Sequence, residues 1–264
     1  MILKYPGAKN RIADWICSYI PPHDVYLEPY AGSLAVLFAK KPARIETVND
    51  LNQDVVNYFR VLRDYPNELI CRIMNTPYAR KEYDDAYNQT EDSVEKAVRF
   101  CIKCQMGFSC SNRYKNGFRT GQQHNSPNPA KSWSKLPDVL QMATERLKQV
   151  QIECLPALEL LQRYSTPDVF AYLDPPYLRQ TRTQKYLYSE EMSDLDHKEL
   201  LELLLEFPGK ILLSGYDNEL YNTFLSGWNK VSRQTQAEGG ISRTEVLWMN
   251  YEYNKQLSIF DFAL

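Results

Sequence analysis

The stretch DVYLEPYAGSLAVLFAKKPARIETVND, residues 24–50, decides the fold. Residues 24–28 are a short apolar run ending in a carboxylate, and they read as a strand. A turn containing Pro29 and Gly32 follows, then an apolar helical segment near 34–40. Residues 44–48 read as a second strand that ends at Asn49-Asp50. Strand, turn, helix and strand make a βαβ unit, which implies a parallel sheet covered by helices. The expected fold class is α/β.

Upstream, residues 9–20 have amphipathic spacing and should form a helix that stops at Pro21-Pro22, since proline cannot continue it. Downstream, from about 52 to 107, the periodicity is helical, with breaks at Pro66 and Pro77. Residues 108–133 are rich in Ser, Asn, Gly, Arg and Lys, and are too long for a structureless connection in a compact domain. A helix is expected over 135–148. The α/β pattern then resumes, with strands at 149–153, 168–173, 209–214, 228–236 and 243–250 and helices at 156–163 and 194–206. The predicted division is a sheet domain of residues 1–60 and 149–253, a helical insertion of residues 61–148, and a tail of residues 254–264.

Formal charge is −2, which argues mildly against a nucleic-acid partner because such domains are usually basic, but its distribution is uneven. Residues 99–148 hold nine Lys or Arg against two Asp or Glu, and residues 178–186 add three cations and no anion. One basic region in a near-neutral chain fits a protein whose halves do different jobs, one of them touching a polyanion. No window is long and apolar enough for a membrane helix, and the N-terminus lacks a signal-peptide core, so a cytoplasmic location is expected. Cys101, Cys104 and Cys110 with His124 could be imagined around zinc. No second closely spaced pair exists, and residues 94–106 read as a helix with cysteines on its buried face. No metal is expected.

The turn Glu28 to Leu34 places backbone N–H groups at the carboxyl edge of a strand, where open α/β sheets bind ligands. It holds one glycine, so alone it is a weak signal. Asp50 lies 22 residues beyond Glu28, the spacing at which an acid accepts from a ribose diol. Asp50 or Asn52 could equally cap the following helix. An acid at the mouth of the turn repels a pyrophosphate, whereas it attracts an amino or sulfonium group.

Asp174-Pro175-Pro176-Tyr177 follows the most apolar strand. The doubled proline turns the chain sharply and stiffens it, with an acid on one side and an aromatic ring on the other. That corner suits a planar heterocycle bearing an amino group. Asp174 and the Pro175 carbonyl can each accept one N–H, and Tyr177 can stack. Such acceptors aim the nitrogen lone pair at an electrophile, so transfer needs positioning and electrostatics but no covalent enzyme intermediate. Carbon methylation of cytosine would need a thiol nucleophile, and no cysteine here follows a proline.

With these motifs in order, the chain resembles the Dam-like class of DNA N6-adenine methyltransferases, particularly its phage and prophage members. The resemblance runs over nearly the whole length, through Lys4 to Lys9, Glu28 to Gly32, Asn49 to Asn52, Asn112 to Tyr114, Asn116 to Phe118, Asp174 to Tyr177, Ser214 to Tyr216 and Arg243 to Trp248. It implies a Rossmann-like, S-adenosylmethionine-dependent methyltransferase sheet with an inserted helical target-recognition domain, and methyl transfer to N6 of a flipped-out adenine. It further implies that Tyr5, Lys9, Glu28, Tyr30, Gly32 and Asp50 contact the cofactor and that Asp174, Pro175, Pro176 and Tyr177 form the catalytic corner. Two positions depart from the family pattern. Leu34 stands where a second glycine is usual. Pro156 falls where an Asp often contacts the cofactor adenine.

A base inside a duplex cannot reach such a corner, so it must be flipped, at a few kcal/mol of lost stacking. Residues 111–122 offer cations, amides and aromatics for that task. Asn112, Arg113, Lys115, Asn116 and Arg119, with Arg179 and Arg182 just after the corner, are the candidate DNA contacts. The final residues include Gln256-Leu257-Ser258-Ile259-Phe260, which resembles the peptide that bacterial replication proteins insert into the sliding clamp. Alternatively, the tail packs its own Phe260 and Phe262 on the sheet. The rival functions are methylation of cytosine N4, RNA adenine or a protein glutamine amide, and a catalytically silent DNA-binding module. Asp at 174 favours adenine, and the basic insertion disfavours a protein substrate.

Overall fold

The strand read from residues 24–28 is Val25–Glu28 (β1), and it lies at the middle of the sheet. The structure, a computed structural model, describes residues 1–108, 114–121, 127–182, 188–236 and 242–253. Among these, β1 is flanked by Ile45–Asn49 (β2) and Val169–Leu173 (β4), both parallel to it. Val150–Glu153 (β3) extends the β2 side, and Lys210–Tyr216 (β5) extends the β4 side, again in parallel. Ser242–Met249 (β7) inserts antiparallel between β5 and the edge strand Asn229–Gln236 (β6). The strand order is β3-β2-β1-β4-β5-β7-β6. The chain steps outward through β2 and β3, then returns to the opposite side of β1. Open sheets bind ligands in the crevice at such a reversal, outside the carboxyl ends of the strands. This is the Rossmann-like α/β sheet expected from the sequence.

The sheet separates two apolar clusters. On one face Tyr26, Val48, Phe170, Tyr172, Leu212 and Leu247 pack under the helices Ala13–Cys17 (α1), Ala35–Ala39 (α2), Gln53–Asp64 (α3), Pro66–Asn75 (α4), Arg80–Asp85 (α5), Ser93–Met106 (α6), Pro129–Ser134 (α7) and Leu136–Leu147 (α8). On the other, Val25, Leu27, Ala171, Leu173, Leu213 and Trp248 pack against Ala157–Arg163 (α9), Asp194–Glu206 (α10) and Glu219–Phe224 (α11). Strand side chains alternate between the faces. That parity places Glu28, Asp50, Asp174, Ser214 and Glu245 all toward the first cluster.

Helices α3 to α8 lie between β2 and β3. Asn52 caps α3 through the Asp54 amide, Pro66 opens α4 and Asp92 caps α6 through the Glu95 amide. The helical layer is tied to the sheet by Glu46 of β2, which takes Lys40 at 2.5 Å and Arg146 of α8 at 2.7 Å. Burial opposes ionisation of Glu46, but hydrogen bonds from Arg146 and Lys40 outweigh it and hold the carboxyl below its usual range. Cys101 and Cys104 are buried on α6, and Cys101 takes a weak hydrogen bond from Tyr58. No helix among the described residues is long and apolar enough to cross a membrane.

Three elements differ from expectation. The helix expected over 9–20 shortens to α1, because residues 7–9 are drawn into a tight loop with Gly7 at φ 70°. The loop expected over 108–133 closes at its base, where Gly107 and Phe118 form an antiparallel bridge, and ends in α7, capped by Asn128. Helix α11 falls between two strands where no helix was expected.

Candidate active site

The reversal crevice is a cleft of about 300 Å³. Its walls are the loop Tyr5 to Lys9, the turn Glu28 to Ser33, Asn49 to Leu51, Leu155 to Leu158, Asp174 and Pro176, and the strap Tyr188 to Met192. All six residues expected to hold the cofactor line it, and their elements explain why. Glu28 ends β1. Gly32 supplies a left-handed turn at φ 47°, and a Cβ there would press on the Tyr5 ring at 3.2 Å. Asp50 closes β2 and accepts from the Gly32 amide at 2.8 Å and the Asn52 amide at 2.9 Å. Asn52, not Asp50, makes the helix cap.

Asn49 binds these loops together. Its amide donates to the Pro29 carbonyl at 2.9 Å and the Leu155 carbonyl at 3.0 Å, and its oxygen accepts from the Leu155 amide at 2.8 Å. Three βα loops thus share one buried side chain. At the second departure from the family pattern, the wall is apolar. Leu155, Pro156, Ala157 and Leu158 face the cleft there, with no carboxylate among them. At the first departure, Leu34 keeps a left-handed backbone at φ 55° and caps α2 from a fully buried position. The helix begins just after it.

The carboxylates define what the cleft accepts. Glu28 is buried and takes the Tyr26 hydroxyl at 2.7 Å. Among the described residues, no cation stands within ion-pair distance of it. Burial pushes its carboxyl up to about 8. A buried acid without a cationic partner keeps its proton, and a cation brought into the cleft would favour its ionised form. Asp50 is pushed up to about 6 by burial, against the two amides that favour its ionised form. A ligand with a cationic amino and sulfonium end, a diol and a flat aromatic base fits these acceptors and the apolar wall, and S-adenosylmethionine has those parts.

Asp174 follows β4 directly. Its Oδ2 meets Lys9 Nζ at 2.8 Å, while Lys9 also donates to the Gly7 carbonyl at 2.8 Å and stands 3.5 Å from Glu245. Burial works against the Lys9 ammonium, but Asp174 and Glu245 together raise its affinity for the proton above the ordinary lysine value. Burial pushes Asp174 up to about 6, with Lys9 opposing and Glu245 adding to the rise. Pro175 is buried and Pro176 half-buried. Tyr177 is buried, its hydroxyl donating to Glu245 and lying 3.1 Å from Ser214 Oγ. Its ring meets Tyr216 edge-on with centroids 4.6 Å apart. Glu245, Ser214 and Tyr216 lay in motifs that carry the resemblance, but no role followed from the sequence. The available signal was a carboxylate at the head of a strand, TEVLWM, that is buried on both faces.

The candidate DNA residues are dispersed. Asn112 and Arg113 lie outside the described residues. Lys115 pairs with Asp84 at 2.6 Å on the surface, and the Asn116 carbonyl accepts from Tyr83 at 2.7 Å. Arg119 braces the base of its loop by donating to the Gly107 carbonyl at 3.0 Å and the Phe108 carbonyl at 2.8 Å. Arg179 is exposed in a short turn, whereas Arg182 is buried in an ion pair with Glu191, so a phosphate contact from it requires this segment to move. The tail residues 256–260 lie outside the described residues.

Comparison with known proteins agrees with this chemistry. The model of the D12 class N6 adenine-specific DNA methyltransferase family matches residues 5–238. A type II methyltransferase of Lactococcus lactis subsp. cremoris is 24% identical, covering 94% of each chain. One from Methanocaldococcus jannaschii is 24% identical over 94% of this chain and 98% of its own. A retron DNA adenine methylase of Escherichia coli is 26% identical over 93% of this chain and 90% of its own. The chain therefore belongs to the D12 class of N6 adenine-specific DNA methyltransferases, which methylate DNA adenine with S-adenosylmethionine as donor.

Proposed function

We propose that Asp174 receives the amino group of a flipped-out target adenine at a specific DNA site. The carrying observation is the Lys9–Asp174 pair: Lys9 occupies Oδ2 at 2.8 Å, which fixes the carboxylate and leaves Oδ1 to accept one N6–H. The Pro175 carbonyl accepts the other. Pro176 and the tethered Tyr177 hold the corner rigid, so the nucleophile meets a preformed acceptor set. Across the cleft, Glu28 holds the cationic methionine end, Asp50 the ribose, and Tyr5, Lys9, Tyr30 and Gly32 complete the cofactor wall. S-adenosylmethionine, when bound, supplies a methyl group made electrophilic by its sulfonium.

Residues 1–60 and 149–253 form the catalytic part in this reading, and residues 61–148 the part that recognises DNA. Asn112, Arg113, Lys115, Asn116, Arg119 and Arg179 contact the duplex, with Arg182 joining once its segment opens, and these contacts offset the cost of flipping. A DNA substrate accords with a cytoplasmic location. The segment Gln256–Phe260 supplies a clamp-binding peptide; equal binding of purified clamp by the whole chain and by a chain ending at Lys255 removes that role. For the main reading, labelled methyl transfer to DNA followed by nucleoside analysis should yield N6-methyladenine. Asp174→Ala should abolish it, and turnover that survives this change refutes the assignment of Asp174.

A further inference from the structure

Glu245 has no part in the roles assigned so far, yet three donors converge on it. The Tyr177 hydroxyl donates to Oε1, Ser214 Oγ donates to the same oxygen at 3.0 Å, and Lys9 Nζ stands 3.5 Å away. The residue is 4% exposed. Its place follows from topology. Strand β7 runs against its neighbours, so its first residues come to the carboxyl edge of β4 and β5, and Glu245 pairs in register with Tyr216. An ionised side chain at that depth is costly unless its partners need it, and those partners are the catalytic corner and its lysine.

We propose that Glu245 is a positioning residue for methyl transfer: it anchors Tyr177 and draws on Lys9, so that Asp174 keeps acceptor strength toward the adenine amine. This rests on the reading that Asp174 receives N6. With Glu245 present, two carboxylates share one ammonium. Without its charge, Lys9 and Asp174 form a neutral pair and the amine meets a weaker acceptor. The amine gains positive charge as the methyl arrives, so an excess negative charge nearby lowers the barrier in a dry site. Among the described residues, Glu28, Tyr172, Tyr188, Tyr216, Tyr221, Arg182 and Arg243 are further charged and titratable groups around this cluster.

Glu245→Gln keeps the shape and an acceptor for Tyr177 while removing the charge. In the full chain, kcat on DNA at saturating cofactor should fall about tenfold or more, with KM for S-adenosylmethionine nearly unchanged. The acid limb of the kcat profile should move to lower pH, because loss of a like charge eases ionisation of Asp174. Unchanged kcat together with an unmoved acid limb overturns the inference. Should Glu245→Gln lower the melting temperature, Tyr177→Phe decides: it keeps the ring and removes the tether. A kcat loss with unchanged stability supports the role, and full activity overturns it. If Asp174→Ala is inactive while both variants are fully active, this inference fails alone; if Asp174→Ala is active, the underlying reading fails.

Discussion

The carboxylate of Asp50 holds the backbone amide of Gly32, with Oδ2 2.8 Å from the nitrogen. Its other oxygen takes the Asn52 amide at 2.9 Å. One side chain therefore ties the turn after β1 to the end of β2, two of the loops that line the cleft. Asp50→Ala leaves both amides without their acceptor, at about 1–3 kcal/mol each where water does not reach them. It also removes the proposed ribose acceptor. Calorimetric titration should show S-adenosylmethionine binding weakened at least about tenfold, equivalent to about 1.4 kcal/mol, with Asp50→Asn intermediate because one oxygen remains. Wild-type affinity in Asp50→Ala would mean that the acid serves the backbone alone.

Glu28 gives the ligand-free protein a pH dependence of defined sign. Burial lifts its carboxyl from 4.5 to about 8, so the folded state binds a proton that the unfolded chain has lost. The stability this group contributes is complete below pH 4.5 and is lost as pH rises toward 8. Thermal melts from pH 5 to 9 should show a decline that Glu28→Gln lacks, since Gln imitates the protonated acid. In the role proposed for Glu28, cofactor binding draws on the ionised form, so it should release a proton near neutrality. Titration calorimetry in buffers of different ionisation enthalpy measures that release, and a buffer-independent enthalpy contradicts the role of Glu28.

The sheet was legible because strand periodicity and the turn after Glu28 are local. The six residues expected at the cofactor fall on one cleft, and they could be picked out because their motifs each sit on one loop. Pairings across the fold were not. Lys9 was assigned to the cofactor, but its partner Asp174 lies on a different element far along the chain. Glu245 escaped notice because the reversed direction of β7, which brings it to the site, is a topological fact without local signature. Arg182 reads as a surface cation in LRQTRTQKY, and only the fold reveals Glu191 against it. The acidic strap and the buried Asn49 staple are likewise products of tertiary contact.

Leu34 carries two opposed energies. Its left-handed backbone costs roughly 1–2 kcal/mol relative to an ordinary helical residue. Its buried side chain packs beneath α2, and truncating such a leucine costs about 2–5 kcal/mol. Restoring the family's glycine should therefore destabilise the protein, because the lost packing outweighs the relieved backbone. Leu34→Ala loses nearly the same packing and keeps the strain. Denaturant unfolding should place Leu34→Gly above Leu34→Ala by about 1 kcal/mol, the reverse of ordinary helix propensity. Alanine proving the better replacement would show that the φ of 55° imposes no cost there.

Gly7 lies directly against the strap, at Tyr188, with no room for a side chain between them. It adopts φ 70°, and a methyl group built on it would overlap the Tyr188 hydroxyl. Tyr188 belongs to a segment held on the cleft by an Asn52–Ser189 hydrogen bond of 2.7 Å and by Glu191, which takes the Tyr188 amide at 3.0 Å and Arg182 at 3.1 Å. Gly7→Ala should thus displace the strap and strain the loop that carries Lys9. KM for S-adenosylmethionine should rise about tenfold, the equivalent of about 1.4 kcal/mol, and amides at 188–192 should exchange faster. Tyr188→Phe in the same chain separates the two causes. It removes the atom that the methyl strikes but leaves the positive φ in place. Recovery of cofactor affinity in the double variant identifies the steric contact as the cause, and an affinity no better than that of Gly7→Ala assigns the loss to the strained loop.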